Sequence, residues 1–339
     1  MTRPVRLAAA AAAGTTAALA VLERRDRRAV AADPQGPELA APLAGRPTRV
    51  RSADGTELHV EVFGPRTGPT VVLAHGWMCS MELWRRQIRD LSRDHRVVAY
   101  DLRGHGRSGP AAARDHSSDA LAADLAAVLD RVVDQDERVV LAGHSMGAMG
   151  IVAWAGANPD DVVRRVAGVV LADTGVEELI GRARLVVVGK ALSRVRLALG
   201  TRLLGWPFPL PGRPRALVSR VVRSIAMAPG ASPALLAFTT RMLLATPTEA
   251  RTGFGGTLST LDVVDGLHTL DVPAVVLVGE HDRMTPPVHA HAIAEALPDA
   301  TLIEVPDAGH MTPLEAPAVV TGAIRSLVGR TLASPDGRT

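Results

Sequence analysis

Cysteine, lysine and aromatic residues are scarce in this chain, and each shortage removes a class of function. Cys79 is the single cysteine among 339 residues, which excludes an intramolecular disulfide framework and a cysteine-based metal site. No candidate partner would activate its thiol, so Cys79 reads as a packed loop residue. Aromatic side chains make up 3% of the chain, too few to form a stacking platform for nucleic-acid bases. The formal charge of +3 comes almost wholly from arginine, scattered among Asp and Glu apart from a short cluster at residues 24–28. A nucleic-acid partner needs a concentrated basic face, and none is expected here. His281, His289 and His291 lie near acidic residues but match no zinc-helix spacing, so no metal is expected. Residues 101–108 contain Gly104 and Gly106 without the third glycine of a dinucleotide-binding turn, so no cofactor is expected either.

What the chain does have is apolar bulk. With 47% hydrophobic and 22% charged residues, it can bury a large core and is not globally disordered. The first 47 residues read as an apolar segment and a linker. Arg3 and Arg6 precede an alanine-rich run over residues 7–22, similar to a signal-peptide core and short for a bilayer span. The charged residues 23–28 make a poor cleavage region, although Ala29-Val30-Ala31 loosely matches the small-residue pattern. Three readings stand: a secretion signal, an uncleaved weak membrane anchor with membrane association through residues 7–22, or a cytoplasmic helix docked on the folded domain. Residues 33–47, with several Pro and Gly and little periodicity, read as a linker.

From residue 48 the patterning becomes regular. Residues 48–52 and 57–63 alternate around an Ala53-Asp54-Gly55-Thr56 turn, which predicts a hairpin. Short continuous apolar runs follow at 70–74, 96–100, 139–142, 166–171, 275–278 and 301–305, as expected of strands covered on both faces. Helical periodicity fills most of the gaps, at 81–91, 118–133, 146–158, 288–297 and 317–328. Alternating strand and helix predicts an α/β fold with a mainly parallel sheet and helices on both faces. Between Val176 and Leu261 the alternation stops, and only amphipathic helical stretches broken by Trp206-Pro207-Phe208-Pro209 appear. The organisation is therefore a core over 48–175 and 262–330, an inserted helical lid over 176–261, and a flexible tail at 331–339. Trp206, Phe208, Phe238 and Phe254 are candidates for an acyl pocket or for the core of the lid itself.

Gly143-His144-Ser145-Met146-Gly147 lies between a predicted strand and a predicted helix. Gly-x-Ser-x-Gly in that context is the signature of a sharp turn that holds a serine hydroxyl proud of a sheet edge. Its glycines allow a tight backbone, and the following helix N-terminus favours developing negative charge. A serine hydroxyl needs a base, and the base an orienting acid. His310 follows the 301–305 strand and Asp282 follows the 275–278 strand, so both fall at the same sheet edge as Ser145, where ligands bind in such sheets. Asp173, after the 166–171 strand, is the alternative acid. The oxyanion would be met by the backbone N–H of Met146 and that of Trp77, in the turn after residues 70–74. His75 in that turn reads as structural support.

Taken together, His75-Gly76-Trp77, the segment 101–108, Gly143 to Gly147, Gly279-Glu280-His281-Asp282 and Gly309-His310 resemble the α/β-hydrolase family. The resemblance covers residues 50–175 and 261–328. It implies an eight-stranded sheet whose second strand runs antiparallel, a lid over the site, and the residue order Ser, Asp, His. Epoxide hydrolases and haloalkane dehalogenases share the layout but carry Asp where this chain has Ser145. The similarity is nearest to bacterial esterases and cofactor-free perhydrolases, while Gly-His-Ser-Met-Gly also occurs in monoacylglycerol lipases. The function expected is a carboxylesterase acting on a small-molecule ester with small to medium apolar groups, through an acyl-enzyme. A perhydrolase or haloperoxidase, a C–C bond hydrolase, and a non-catalytic ligand-binding protein are the alternatives.

Overall fold

The computed structural model describes residues 3–183 and 215–332, with side chains from residue 17 onward. Eight strands form one sheet: β1 (Arg46–Arg51), β2 (Glu57–Phe63), β3 (Thr70–Ala74), β4 (Arg96–Tyr100), β5 (Val139–His144), β6 (Val166–Ala172), β7 (Ala274–Gly279) and β8 (Ala300–Val305). Their order across the sheet is β1-β2-β4-β3-β5-β6-β7-β8. Only β2 opposes its neighbours; every other pairing from β4 to β8 is parallel. This is the eight-stranded sheet with an antiparallel second strand that the resemblance to the α/β-hydrolase family implies.

The burial pattern explains why the inner strands are apolar throughout. All residues of β3, β5, β6 and β7 are buried, whereas edge strands β1 and β8 expose residues along their length. Successive side chains point to opposite faces. Val72, Leu141, Val169 and Val276 join one core with Leu125 and Trp154. Val71, Leu73, Val140, Val170 and Val275 join another with Trp84, Ile88 and Leu327. The helix Met146–Ala157 is almost wholly buried and apolar on all sides, as a helix in the centre of a layer must be. Ser117 begins the helix Ser118–Val132 by accepting the Ala120 N–H at 3.1 Å, an N-cap that satisfies one orphan donor.

Strand register carries the site. Ala74 lies beside Gly143, His144 beside Ala172, Ala172 beside Leu277, and Gly279 beside Val305. The carboxyl ends of β3, β5, β6, β7 and β8 therefore reach one edge together. The chain following each of those ends carries Trp77, Ser145, Asp173, Asp282 and His310 respectively.

Two stretches depart from the sequence reading, while the N-terminus takes the docked-helix form, one of its three readings. Residues 81–91 are a 3₁₀ turn, Met81–Trp84, followed by a separate helix, Arg85–Leu91. The 33–47 stretch is packed strap rather than free linker. Asp33 accepts the Ala234 N–H at 2.8 Å, Leu39 is buried in a short helix, and Arg86 donates to Gln35 Oε1 at 2.6 Å. At the N-terminus, Arg3–Ala31 is one helix, and Asp26 pairs with Arg220 of the lid at 3.2 Å. No helix among the described residues is long and apolar enough to cross a membrane.

The inserted segment expected to form a lid shows the helices Leu179–Arg182, Arg215–Ala226, Pro233–Ala245 and Thr248–Ser259 among the described residues; Trp206 and Phe208 lie outside them. Phe254 is fully buried, its ring edge-on to His116 at 4.9 Å. Phe238 packs under the Arg85 guanidinium at 4.9 Å. Both are lid core.

Residues 101–108 have a structural task. Arg103 is buried and donates to both oxygens of buried Asp124, at 2.8 and 2.6 Å, and to Asp54 at 2.8 Å. Removing one partner of such a pair strands the other charge. Arg103→Ala is expected to lose about 3–5 kcal/mol of unfolding free energy in urea titration, and a loss under about 1 kcal/mol would show that Asp124 does not depend on it.

Candidate active site

Ser145 sits between β5 and the helix Met146–Ala157 with φ 50° and ψ −121°. That conformation costs a non-glycine residue about 1–3 kcal/mol, and its surroundings explain why the neighbours are glycines. A Cβ on Gly147 would lie 2.4 Å from the Ala74 carbonyl oxygen and 2.5 Å from that of His75. A Cβ on Gly143 would lie 2.5 Å from the Ala148 Cα. Only bare backbone lets the turn close against β3 and its own helix.

The strained turn presents the Ser145 hydroxyl to His310, which accepts it at Nε2 over 3.1 Å. On the far side of the ring, Nδ1–H donates to Asp282 Oδ2 at 2.7 Å. Asp282 is held in turn by Met284 N–H, Thr285 N–H and the Thr285 hydroxyl, at 2.8, 2.9 and 2.9 Å. All three members of this line are buried. Asp173 accepts instead from Gly279 N–H at 3.1 Å and from the Thr312 N–H and hydroxyl at 3.0 and 2.6 Å. The structure thus places Asp282, not Asp173, on the imidazole.

The backbone N–H groups of Trp77 and Met146 donate to no backbone acceptor among the described residues. Gly76 brings its loop so close that an added Cβ would meet the Ser145 Cβ at 3.0 Å. The Trp77 indole N–H reaches the Arg251 carbonyl in the lid at 3.2 Å, which fixes the loop from above. His75 takes the structural part expected of it: it bonds the Gly76 carbonyl at 2.8 Å and accepts the Leu102 N–H at 3.0 Å.

Electrostatics separates the histidines at this edge. Burial drives His75 down to about 4 and His105 to about 3, and holds His144 well below an ordinary imidazole. Burial acts on His310 too, but the Asp282 charge and hydrogen bond outweigh it, and its pKa ends raised. Asp173 is pushed up, by burial first and by the Asp282 charge second. Burial raises the Cys79 thiol to about 12, consistent with an inert core residue.

Residues 71–323 match the sequence pattern described as the alpha/beta hydrolase family. The chain belongs to that family. It is 26% identical over 274 residues to a bifunctional esterase/perhydrolase of Acinetobacter calcoaceticus, an alignment covering 78% of this chain and 93% of that protein. A non-heme chloroperoxidase of Streptomyces lividans is 39% identical over 120 residues, which span 34% of this chain and only 42% of the relative. Among solved structures, a thermophilic esterase from Thermogutta terrifontis superposes with a TM-score of 0.67 at 26% identity, covering 84% of this chain and 99% of that one.

Three residues of this alpha/beta hydrolase site were missed in the sequence. Thr285 hydrogen-bonds Asp282 and also approaches His310 Nδ1, at 3.2 Å. Its signal was legible, since Asp followed three residues later by Thr before Pro-Pro is a side-chain-capped turn. His144 donates from Nε2 to the His310 carbonyl at 2.7 Å, and Glu315 holds the backbone around His310. Neither left a local signal, because both act on chain distant in sequence or on main-chain groups. If Asp282 orients the ring, Asp282→Asn is expected to lower turnover by about 10⁴-fold, with Asp173→Asn costing far less. Parallel assays of the two variants check this, and the reverse order would move the acid to Asp173.

Proposed function

We propose that this alpha/beta hydrolase cleaves carboxylic esters through an acyl-enzyme on Ser145. The observation that carries the reading is the buried line from Ser145 Oγ through His310 to Asp282, at 3.1 and 2.7 Å. A serine hydroxyl is a poor nucleophile until a base takes its proton as it attacks. His310 Nε2 accepts that proton, and the Asp282 carboxylate stabilises the imidazolium and fixes the tautomer that leaves Nε2 free. The carbonyl oxygen, as it gains charge, is met by the N–H groups of Trp77 and Met146, the latter at a helix N-terminus. Collapse of the tetrahedral intermediate expels the alcohol, which leaves with the proton held by His310. Water then attacks the acyl group with His310 again as base, and the acid departs.

Support for an ester substrate comes from the relatives, since the Acinetobacter protein and the Thermogutta structure are both named esterases. The perhydrolase half of the Acinetobacter protein's name favours one second reading, in which hydrogen peroxide replaces water as the attacking group and the product is a peracid. Both reactions share the first half, so p-nitrophenyl esters of graded chain length, assayed with and without peroxide, separate them. Ser145→Ala is expected to lower ester turnover by about a thousandfold or more; near-normal activity would overturn the reading.

The raised His310 pKa gives a sign for the pH dependence. The base must be neutral, so kcat/KM is expected to rise with pH through the His310 pKa and to fall away as acid protonates it. That limb should lie above the ordinary imidazole value near 6.5. A pH profile flat from pH 5 to 8 would remove His310 from the role.

A further inference from the structure

We infer that Glu315 is a positioning residue that holds the His310 loop in register with the lid. This rests on the reading of His310 as the base. Glu315 ends the short helix Thr312–Glu315, and its carboxylate accepts three main-chain N–H groups. Oε1 takes those of Gly309 and Met311, on either side of His310, at 3.0 and 3.2 Å. Oε2 takes that of Ala228, just beyond the lid helix Arg215–Ala226, at 2.7 Å. The His310 N–H completes the junction by donating to the Ala226 carbonyl at 3.0 Å.

Four consecutive requirements meet at this point. Gly309 must be bare, because a Cβ there would stand 2.6 Å from the Ala228 nitrogen. No other acceptor serves the N–H groups of Gly309, Met311 and Ala228 among the described residues, and an orphaned buried N–H is costly. A carboxylate supplies enough lone pairs for all three, whereas an amide in its place turns one oxygen into a donor facing a donor. Finally, the loop carrying the imidazole is otherwise joined to the lid by one backbone bond. The geometry makes Glu315 the link through which lid position reaches His310 Nε2. The titratable groups facing His310 are Asp282, Asp173, His144 and Glu315, so removing the last also removes negative charge from its surroundings.

The test compares the full chain with Glu315→Gln, Glu315→Asp and Ser145→Ala. A fluorophosphonate probe of the serine is followed by rate against pH, and amide hydrogen exchange is followed at Gly309, Met311 and Ala228. Glu315→Gln is expected to slow labelling by about ten- to a hundredfold, the scale of a small misplacement of a reacting group. It should also move the acidic limb to lower pH and speed exchange at the three amides. Glu315→Asp, which keeps the charge on a shorter arm, is expected to restore the limb while the rate stays depressed. Wild-type labelling and an unmoved limb in Glu315→Gln, with Ser145→Ala unlabelled, would overturn the positioning role and leave the serine reading intact. Labelling of Ser145→Ala at the wild-type rate would instead sink the serine reading. The amides then decide the tie alone, and unchanged exchange in Glu315→Gln would overturn it.

Discussion

A serine can face an imidazole at this sheet edge only because the chain reverses within one residue, from the end of β5 into a helix. Ser145 takes positive φ to make that reversal, and Gly143, Gly147 and Gly76 withdraw their side chains so that three segments can touch around it. The strain is supported from below. β5 is hydrogen-bonded on both sides by parallel strands, and the Ser145 N–H extends the ladder to the Ala172 carbonyl at 2.9 Å. A helix apolar on every side then fills the layer above it. Loosening any of these contacts would let the turn relax and carry the hydroxyl away from His310.

Around that turn, buried charge is arranged so that only one histidine gains affinity for a proton. His75, His105 and His144 are spent on backbone groups and lose basicity to burial. His310 alone among these four faces a buried carboxylate at hydrogen-bond distance. Asp173 lies near enough to feel the Asp282 charge, but its lone pairs are given to Gly279 and Thr312. The two carboxylates thus have separate work. Asp282 fixes the ring, and Asp173 ties the chain after β8 to the ends of β6 and β7. Distance in sequence does not separate these roles; the hydrogen-bond partners do.

Much of this was legible in the sequence, for a reason specific to parallel sheets. Strands covered on both faces must be apolar throughout, so β3 to β7 announced themselves as continuous runs, and β3 and β4 keep the limits read from the sequence. Once the strands are placed, residues just past their carboxyl ends are placed as well, which is why Ser145, Asp282 and His310 could be named together. What stayed hidden follows other rules. The strap at residues 33–47 is polar and rich in Pro and Gly, as a linker would be, and its docking depends on Asp33 finding a lid N–H some 200 residues away. Choosing between Asp173 and Asp282 required the direction of a side chain. Glu315 was invisible because its partners are main-chain groups, which carry no residue identity.

In one division of labour the lid would select the substrate and the core would carry the reaction. Here the hydrogen bonds argue against that division. Among the described residues the inserted segment reaches the candidate site at two junctions: the Trp77 indole bonds the Arg251 carbonyl, and beside His310 the Ala228 N–H bonds Glu315 while the His310 N–H bonds the Ala226 carbonyl. One joins the lid to the loop expected to stabilise the oxyanion, the other to the loop carrying the imidazole. A shift of the lid would therefore move donors and base together relative to Ser145, whose own position is set by the sheet and not by the lid. Catalysis of acyl transfer depends on donors held about 2.7–3.1 Å from the position that the developing oxyanion will occupy. An insertion that merely shaped the pocket would need neither bond; having both supports the proposal that the lid helps to align the reacting groups.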